Sequence, residues 1–594
     1  MGTRLGSLTA ENTKCMVKVN GITLIERLLN QLETFHLSRI VIVTGFKGKK
    51  LQDFVATLGI KTEIVFVDNP VYDKTNNIYS LALASDEMCK DDTLLLESDI
   101  IVEDAVLKKV MNDKHPNVAC VDLWQTWMDG TVVTLDDDNL IKKFIPKREF
   151  CFADAKTYYK TVNVYKFSKS FSQKDYIPFL KAYSLSLGNN EYYEQVLRVI
   201  TLLGKPLVHA MPLAGEKWYE IDDEQDLDIA ESIFCSQEEQ LEKMAKRYGG
   251  YWRYPGMLDF CYLVTPHFPP QRMRDELKNS FDILMESYPS GQSVNSLVAA
   301  KTFGLRHEYV AVGNGAAELI EVYMDMQKGK VGFIYPTFEE YPNRIDVSRR
   351  VVFVPSPDDG FRYSAQDVMA FFDKNPVDTI ILVNPDNPSG NFLSCAELKK
   401  IVSWAKKTRR QLLIDESFID FAENRYTLLD NKFLVANRHV FVMKSISKSY
   451  GVPGLRLGII ASANTECLSS IRRHLSIWNI NSFGEYFLQI SEKYKADYRC
   501  ACERMVSERR RFMSELATIP YLQVFPSAAN YILCRVIEPF EPKVLAQRLW
   551  KEHRMLIKDC SSKKGFDGAK FIRLAVRNEK DNTAIVEVLK KFIV

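Results

Sequence analysis

Lys448 stands in the run Ser445-Ile-Ser-Lys448, followed closely by Gly454-Leu-Arg456-Leu-Gly458. A lysine amine condenses with an aldehyde to an imine. Two hydroxyls and a guanidinium in the same segment can hold a phosphate dianion. A second run, Leu412-Leu-Ile-Asp415-Glu416, ends a β-rich stretch in an acidic pair. A buried Asp there keeps a pyridine nitrogen protonated and makes the ring an electron sink. The turn-forming run Asn384-Pro-Asp-Asn387-Pro-Ser-Gly390 offers an amide to a ring hydroxyl. Gly313-Asn-Gly315-Ala316-Ala-Glu318 sets backbone N–H groups ahead of a helical pattern, a cradle for phosphate. Alone, each run reads as a turn or a helix start. Together, in the order cradle, Asn, Asp, Lys, Arg, they meet the demands of pyridoxal 5′-phosphate (PLP), with Lys448 as the Schiff-base lysine.

The chain start carries different chemistry. Met1-Gly2-Thr3-Arg4-Leu-Gly leads to Thr13-Lys14-Cys-Met-Val-Lys18. A glycine-containing loop followed by cations suits a nucleoside triphosphate. Backbone amides approach the phosphates, and Arg4 and Lys14 offset their charge. Asp99 closes Leu94-Leu-Leu-Glu-Ser-Asp99, and Asp222 closes Trp218-Tyr-Glu-Ile-Asp222. Either alone is a strand-end cap. Two carboxylates from distant segments, with substrate phosphates, are how Mg²⁺ is usually held.

These side chains need rigid elements beneath them. Arg39–Gly45, Glu63–Val67 and Thr93–Leu96 predict short strands, and Leu24–Leu32 predicts a helix apolar on one face. The alternation predicts an α/β unit with a parallel sheet between helices. The charged stretch Glu231–Arg247 predicts a helical connector. Tyr248–Pro270, rich in Gly, Pro and aromatics, opens the second unit. The remaining length suits one large two-layer enzyme protomer.

A chain of 594 residues exceeds one ordinary domain, and 46% hydrophobic with 26% charged residues is soluble globular composition. The net charge of +2 excludes a polybasic surface for nucleic acid or membrane. No apolar run approaches the ~18 residues that span a bilayer, and no secretory signal opens the chain. The 12 cysteines form no C-x-x-C pair, and Cys500 and Cys502 are spaced poorly for zinc. They read as reduced structural thiols of a cytoplasmic protein.

Residues 251–594 resemble the class I/II aminotransferases of fold type I, nearest the histidinol-phosphate aminotransferase and threonine-phosphate decarboxylase branch. The resemblance implies that Lys448 carries PLP, Asp415 pairs with the pyridine nitrogen and Asn387 approaches the ring oxygen. Ser445, Arg456, Gly315 and Ala316 would hold the phosphate. Phe338 or Tyr341, in Pro336-Thr-Phe-Glu-Glu-Tyr341, would stack on the ring. Arg573, in Phe571-Ile-Arg-Leu-Ala575, would clamp the carboxylate of an amino-acid amino donor. Tyr288 would reach the neighbouring subunit's cofactor, which implies a homodimer. One position departs: the usual tyrosine three residues after the Asp is Phe418. That removes a hydrogen bond to the ring oxygen, as in decarboxylase-like members. Its plain alternative is a tolerated core aromatic.

Residues 1–235 resemble the sugar-nucleotide and choline-phosphate nucleotidyltransferases, with the loop, Lys14, Asp99 and Asp222 in the expected order. The insert Asn69–Leu81 resembles the cytidylyltransferase branch. The likeness implies CTP and Mg²⁺, with the metal on Asp99 and Asp222 and with Arg4 and Lys14 as catalytic cations. Gly2 and Thr3 would bind nucleotide, and Asn76, Asn77 and Ser80 would lie at the substrate pocket. For an ammonium end, Asp129 and Tyr192–Glu194 are candidates. Members of the family begin with a strand and a Leu-Ala-Ala-Gly turn ahead of the position of Met1. Either the start lies further upstream or the chain is a truncated form; if it starts at Met1, the mixed, Rossmann-like sheet lacks its first, central strand, and weak or no nucleotidyl transfer is expected, with the PLP domain unaffected.

In this order the two units resemble bifunctional 2-aminoethylphosphonate cytidylyltransferases of phosphonate biosynthesis. The expected boundaries are 1–235 for the nucleotidyltransferase, 236–250 for the connector and 251–594 for the PLP domain. The implied reactions are amination of phosphonoacetaldehyde and transfer of CMP from CTP to the resulting 2-aminoethylphosphonate. A second set of substrates stays open: phosphocholine or another aminoalkyl phosphate in front, and a phospho-amino-acid decarboxylase or other transaminase behind. A third reading makes the first half a scaffold or nucleotide sensor.

Overall fold

The expected strands form at Ile40–Thr44 (β1), Ile64–Asp68 (β2) and Thr93–Leu96 (β3). They belong to the first of two units, Met1–Arg253 and Tyr254–Val594. The computed structural model describes residues 3–204, 207–254 and 256–592. Helix α1 (Leu24–Glu33) buries Leu24, Ile25, Leu28, Leu29 and Leu32, the spacing of one helical face, and Thr23 caps it by accepting from Glu26 N–H at 3.2 Å.

β1 and β2 pair in parallel from Ile40↔Ile64 to Thr44↔Asp68. β3 belongs to a second, mixed sheet with Val118–Leu123 (β4), Val132–Leu135 (β5), Ile141–Ile145 (β6), Tyr159–Phe167 (β7) and His209–Pro212 (β8). Its order is β8-β4-β7-β5-β6, with β3 also on β7. The sheet is mixed, as the resemblance implies, and not the parallel sheet that the alternation alone predicts. Only β8 runs parallel to its neighbour, because the long β7 pairs antiparallel with β3, β4 and β5. No ladder joins β1 to β3 among the described residues. A cavity of about 170 Å³ is lined by residues next to both, among them Lys14, Ile42, Thr44 and Ser98.

Helix α2 (Asn77–Leu83) follows the polar insert. The charged stretch predicted as one helical connector is two helices, α3 (Glu224–Phe234) and α4 (Gln237–Arg247). Ser236 interrupts it by capping α4, accepting from Glu239 N–H at 3.3 Å. α4 returns onto α3 through Arg247, which donates to Ser232 Oγ at 2.8 Å, so it belongs to the first unit.

The second unit is built on seven strands: Val310–Asn314 (β9), Val331–Ile334 (β10), Arg350–Phe353 (β11), Thr379–Val383 (β12), Gln411–Asp415 (β13), Val440–Ser445 (β14) and Leu457–Ala461 (β15). Their order is β9-β15-β14-β13-β12-β10-β11, and β15 alone runs against its neighbours. β12, β14 and β15 are buried throughout, which explains why they read as continuous apolar runs rather than alternating ones. Helix α5 (Gly315–Asp325) leaves the end of β9. A smaller antiparallel sheet holds Leu522–Val524 (β16), Tyr531–Val536 (β17), Lys558–Asp559 (β18) and Phe571–Ala575 (β19). Asp415 and Ser445 are the last residues of adjacent parallel strands, where open α/β sheets place their ligands. Among the described residues no helix is long and apolar enough to cross a membrane.

Candidate active sites

In the second unit the expected side chains converge. Lys448 lies in a short helix just beyond β14. Burial lowers its pKa; Asp415 opposes that, and Arg573 and Arg456 add to the lowering. A depressed lysine is the nucleophilic form needed to condense with an aldehyde. Its Nζ is 4.9 Å from the Phe338 ring and 4.7 Å from that of Phe418. Phe338 therefore faces the cofactor position. Tyr341 does not stack there: it is fully buried, and its hydroxyl donates to Asp415 Oδ2 at 2.8 Å.

Arg456 meets the N-terminus of α5. Gly315 adopts φ +74°, and a Cβ on it would lie 2.6 Å from the Arg456 guanidinium. Only glycine leaves room for that arginine beside the first N–H groups of α5. Ser445, buried at the end of β14, completes the cup. The donors fit a phosphate dianion, and Asp415 with Phe338 and Lys448 fits the pyridine ring and aldehyde of PLP.

Arg573 donates to Asn387 Oδ1 at 2.7 Å and to the Cys261 carbonyl at 2.8 Å, and its buried Nε has no partner. A buried guanidinium without a carboxylate awaits an anion. Tyr288 is 79% exposed and stacks on Trp478 with ring centroids 4.4 Å apart. It takes no part in this chain's own cluster.

In the first unit Lys14 Nζ bridges Asp99 Oδ2 at 2.6 Å and Asp222 Oδ1 at 2.7 Å, and Arg4 reaches Asp222 at 3.2 Å. Burial would lower the lysine's pKa, but Asp99 and Asp222 outweigh it and raise it. Oxygens of Asp99, Glu220 and Asp222 lie within 4.8 Å of one another, and Asp99 Oδ1 is buried without a partner. The donor set fits a hard divalent cation. Burial lifts the Glu220 carboxyl to about 7, with buried Lys160 3.6 Å away as the counter-charge. Gly2 lies outside the described residues, as does the side chain of Thr3.

Of the insert residues, Asn77 reaches toward this cluster through Glu97. Asn76 caps α2 through Asn77 N–H at 2.8 Å, and Ser80 accepts from Asn69 at 3.1 Å. Asn77 donates to Glu97 Oε1 at 3.1 Å and accepts from Tyr193 N–H at 3.0 Å. Burial, then Asp99, Glu194 and Glu220, hold the Glu97 carboxyl well above the usual range. Glu194 Oε2 is buried without a partner, and the Tyr193 side chain meets the Glu97 carboxyl. Asp129 is not part of the group: it is 57% exposed and pairs with Lys147 at 2.6 Å on a turn.

The sequence reading passed over Glu97 and Glu220. The signal was a repeated acidic spacing, Glu97-Ser-Asp99 and Glu220-Ile-Asp222, just where the strands Thr93–Leu96 and Trp218–Glu220 end. The sequence reading also left Ser417 unremarked.

Comparison with known proteins agrees with this geometry. Residues 272–589 match the family of class I and II aminotransferases, and residues 1–133 match the MobA-like NTP transferase domain. The chain belongs to the class I and II aminotransferase family, and it is an enzyme in which a nucleotidyltransferase precedes the PLP-type unit. More particularly, it is homologous along its whole length to the CMP-5'-(3-aminopropyl)phosphonate synthase of Streptomyces rubellomurinus. The two are 30% identical over 595 residues, covering 100% of this chain and 94% of that protein. The L-serine phosphate decarboxylase of Sulfurospirillum multivorans is 29% identical over 349 residues, 57% of this chain and 88% of its own. Among solved structures, a decarboxylase from Sulfurospirillum multivorans superposes with TM-score 0.54 at 27% identity, covering 59% of this chain and 91% of its own. The histidinol-phosphate aminotransferase from Clostridium acetobutylicum gives 0.51 at 26% identity, covering 57% and 99%.

Proposed function

We propose that the first unit transfers CMP from CTP to 2-aminoethylphosphonate, and that the second forms this amine from phosphonoacetaldehyde and an amino-acid donor. The observation that carries the reading is the buried acceptor group beside the metal cluster. Glu97 is held by Asn77 and by the Tyr193 side chain, and Glu194 keeps a partnerless oxygen in the same field. A primary ammonium brings three N–H donors to such a lining. A trimethylammonium brings none and leaves the acceptors desolvated and unpaired.

A phosphonate oxygen attacks the α-phosphorus of CTP in line, and pyrophosphate leaves. Mg²⁺ on Asp99 and Asp222, with Glu220 beside them, would offset the charge of the triphosphate. Lys14 and Arg4 turn from the carboxylates to the phosphates once these arrive. In the second unit PLP supplies the electron sink. Arg573 holds the donor's carboxylate, Phe338 covers the ring, and Lys448 carries the proton at its amine. Exposed Tyr288 and Trp478, with Ile283, Met285 and Ile477, form the apolar face for a second copy.

The whole-length relative named for CMP linked to an aminoalkyl phosphonate supports this choice. A second reading of the PLP unit, decarboxylation of a phospho-amino acid, is favoured by Phe418, which brings no hydroxyl to the ring, and by the serine phosphate decarboxylase relative. Phosphorus NMR of the protein with CTP, Mg²⁺ and either 2-aminoethylphosphonate or phosphocholine tests the first unit. Preference for the aminophosphonate is expected, and equal or better use of phosphocholine refutes it. Carbon dioxide release from O-phosphoserine or O-phosphothreonine, without transfer of the amino group, would install the second reading.

A further inference from the structure

Asp415 is hydrogen-bonded on both oxygens by neighbours not expected to touch it, Ser417 and Tyr341. Oδ1 accepts from Ser417 N–H at 2.8 Å and from Ser417 Oγ at 2.5 Å. Oδ2 accepts from Tyr341 Oη at 2.8 Å. A carboxylate oxygen has room for about two donors. Oδ1 is full, and Oδ2 keeps one acceptor position for a ring N–H. Ser417 Oγ also accepts from Ser445 N–H at 2.9 Å, which links the carboxylate to the first residue of the phosphate cup. Tyr341, Asp415 and Ser417 are all buried, so water does not substitute for a lost donor.

We propose that Tyr341 is a positioning residue that sets how strongly Asp415 draws the proton of the cofactor's ring nitrogen, while Ser417 fixes the carboxylate against the phosphate cup. The inference rests on the reading of Lys448 and Asp415 as the PLP site. Burial holds the phenol proton on Tyr341 far above the ordinary tyrosine range, so the hydroxyl stays a donor at working pH. Its hydrogen bond spreads the carboxylate's charge and weakens its pull. Remove that donor, and the ring proton moves toward Asp415. The ring nitrogen becomes less positive, withdraws fewer electrons, and the nitrogen linking Lys448 to the cofactor holds its own proton more tightly.

Tyr341→Phe keeps the ring and its packing and removes the hydroxyl alone. In the holoenzyme carrying ¹⁵N-labelled PLP, the ring-nitrogen resonance should move toward that of a neutral pyridine. The pH midpoint of the cofactor's absorption should rise by about one unit, tenfold in proton affinity, the size of one charged hydrogen bond. PLP affinity should change less than about threefold, since the phosphate cup is untouched. Ser417→Ala, which leaves Tyr341 in place, should move both signals in the same direction and also loosen the cofactor; it carries the test if Tyr341→Phe does not fold. An unmoved resonance and midpoint, with the cofactor still attached to Lys448, overturns the proposal. Failure of the unsubstituted protein to attach PLP at Lys448 overturns the site reading instead.

Discussion

Lys14 stands where a metal ion would be bound, and replacing it by Met separates its two duties. Its Nζ is 2.6 Å from Asp99 and 2.7 Å from Asp222, and the acidic oxygens there lie within 4.8 Å of one another. Without the lysine, Asp99 and Asp222 face each other with only the exposed Arg4, 3.2 Å from Asp222, to offset them. Two unit charges at the carboxylates' separation repel by about 3 kcal/mol at an effective dielectric of about 20. In a chelator, the unfolding midpoint of the first unit should fall by about 10 °C. Mg²⁺ should restore it, because the ion takes the position the ammonium held. Mg²⁺ affinity without nucleotide should therefore rise by about a hundredfold, since the ion no longer displaces a lysine. Nucleotidyl transfer should fall by about 10²–10³, since the cation that meets the phosphates is gone. Calorimetry across a Mg²⁺ titration reads both effects. An affinity for Mg²⁺ unchanged or weakened in Lys14→Met would refute the argument that lysine and metal share one position.

Asp99→Asn, which keeps the shape and removes a metal ligand, should abolish nucleotidyl transfer in steady-state assays and leave the PLP reaction intact; retained transfer would refute Asp99 as a metal ligand. Burial lifts the Glu416 carboxyl to about 7, against 4.5 unfolded. Its stabilisation is complete below about 4.5 and is lost progressively as pH rises from there through 7, on the order of 3 kcal/mol in total. The melting midpoint of the second unit should therefore drop between about pH 4.5 and 7 and level off above, and Glu416→Gln should flatten that slope. Arg573→Gln should raise KM for the amino donor by about a hundredfold, the worth of one charged bidentate contact, while PLP still binds. Sedimentation should show a homodimer, and Asp at both Ile283 and Ile477 should give monomers.

The PLP site was legible because its parts lie in contiguous runs at strand ends. Lys448, Asp415, Arg456 and Gly315 each sit in a motif whose residue types leave few other purposes. Choosing between Phe338 and Tyr341 needed coordinates, since spacing does not tell which ring turns inward. Only the fold shows that the Tyr341 hydroxyl ends on Asp415. In the first unit Asp99, Asp222 and Lys14 were legible one at a time. Their meeting is a tertiary event across sequence separations that no pattern records. Glu97 and Glu220 were missed because a carboxylate before an aspartate reads as one acidic patch, although each pair stands where a strand ends. A D-G turn and a binding carboxylate look alike in sequence, and the fold sets Asp129 on an exposed turn against Lys147. The parallel sheet expected of the first unit failed on β7, whose length lets it pair antiparallel with three strands.

The central claim is that one chain makes an aminophosphonate and then activates it. It is tested by supplying phosphonoacetaldehyde, an amino-acid donor, PLP, CTP and Mg²⁺ together and following phosphorus NMR. The account predicts the CMP ester of 2-aminoethylphosphonate with pyrophosphate, its loss in Lys448→Ala, and its return when 2-aminoethylphosphonate is added to that variant. Pyrophosphate formation that ignores added 2-aminoethylphosphonate, or an unchanged ester yield in Lys448→Ala, would contradict it.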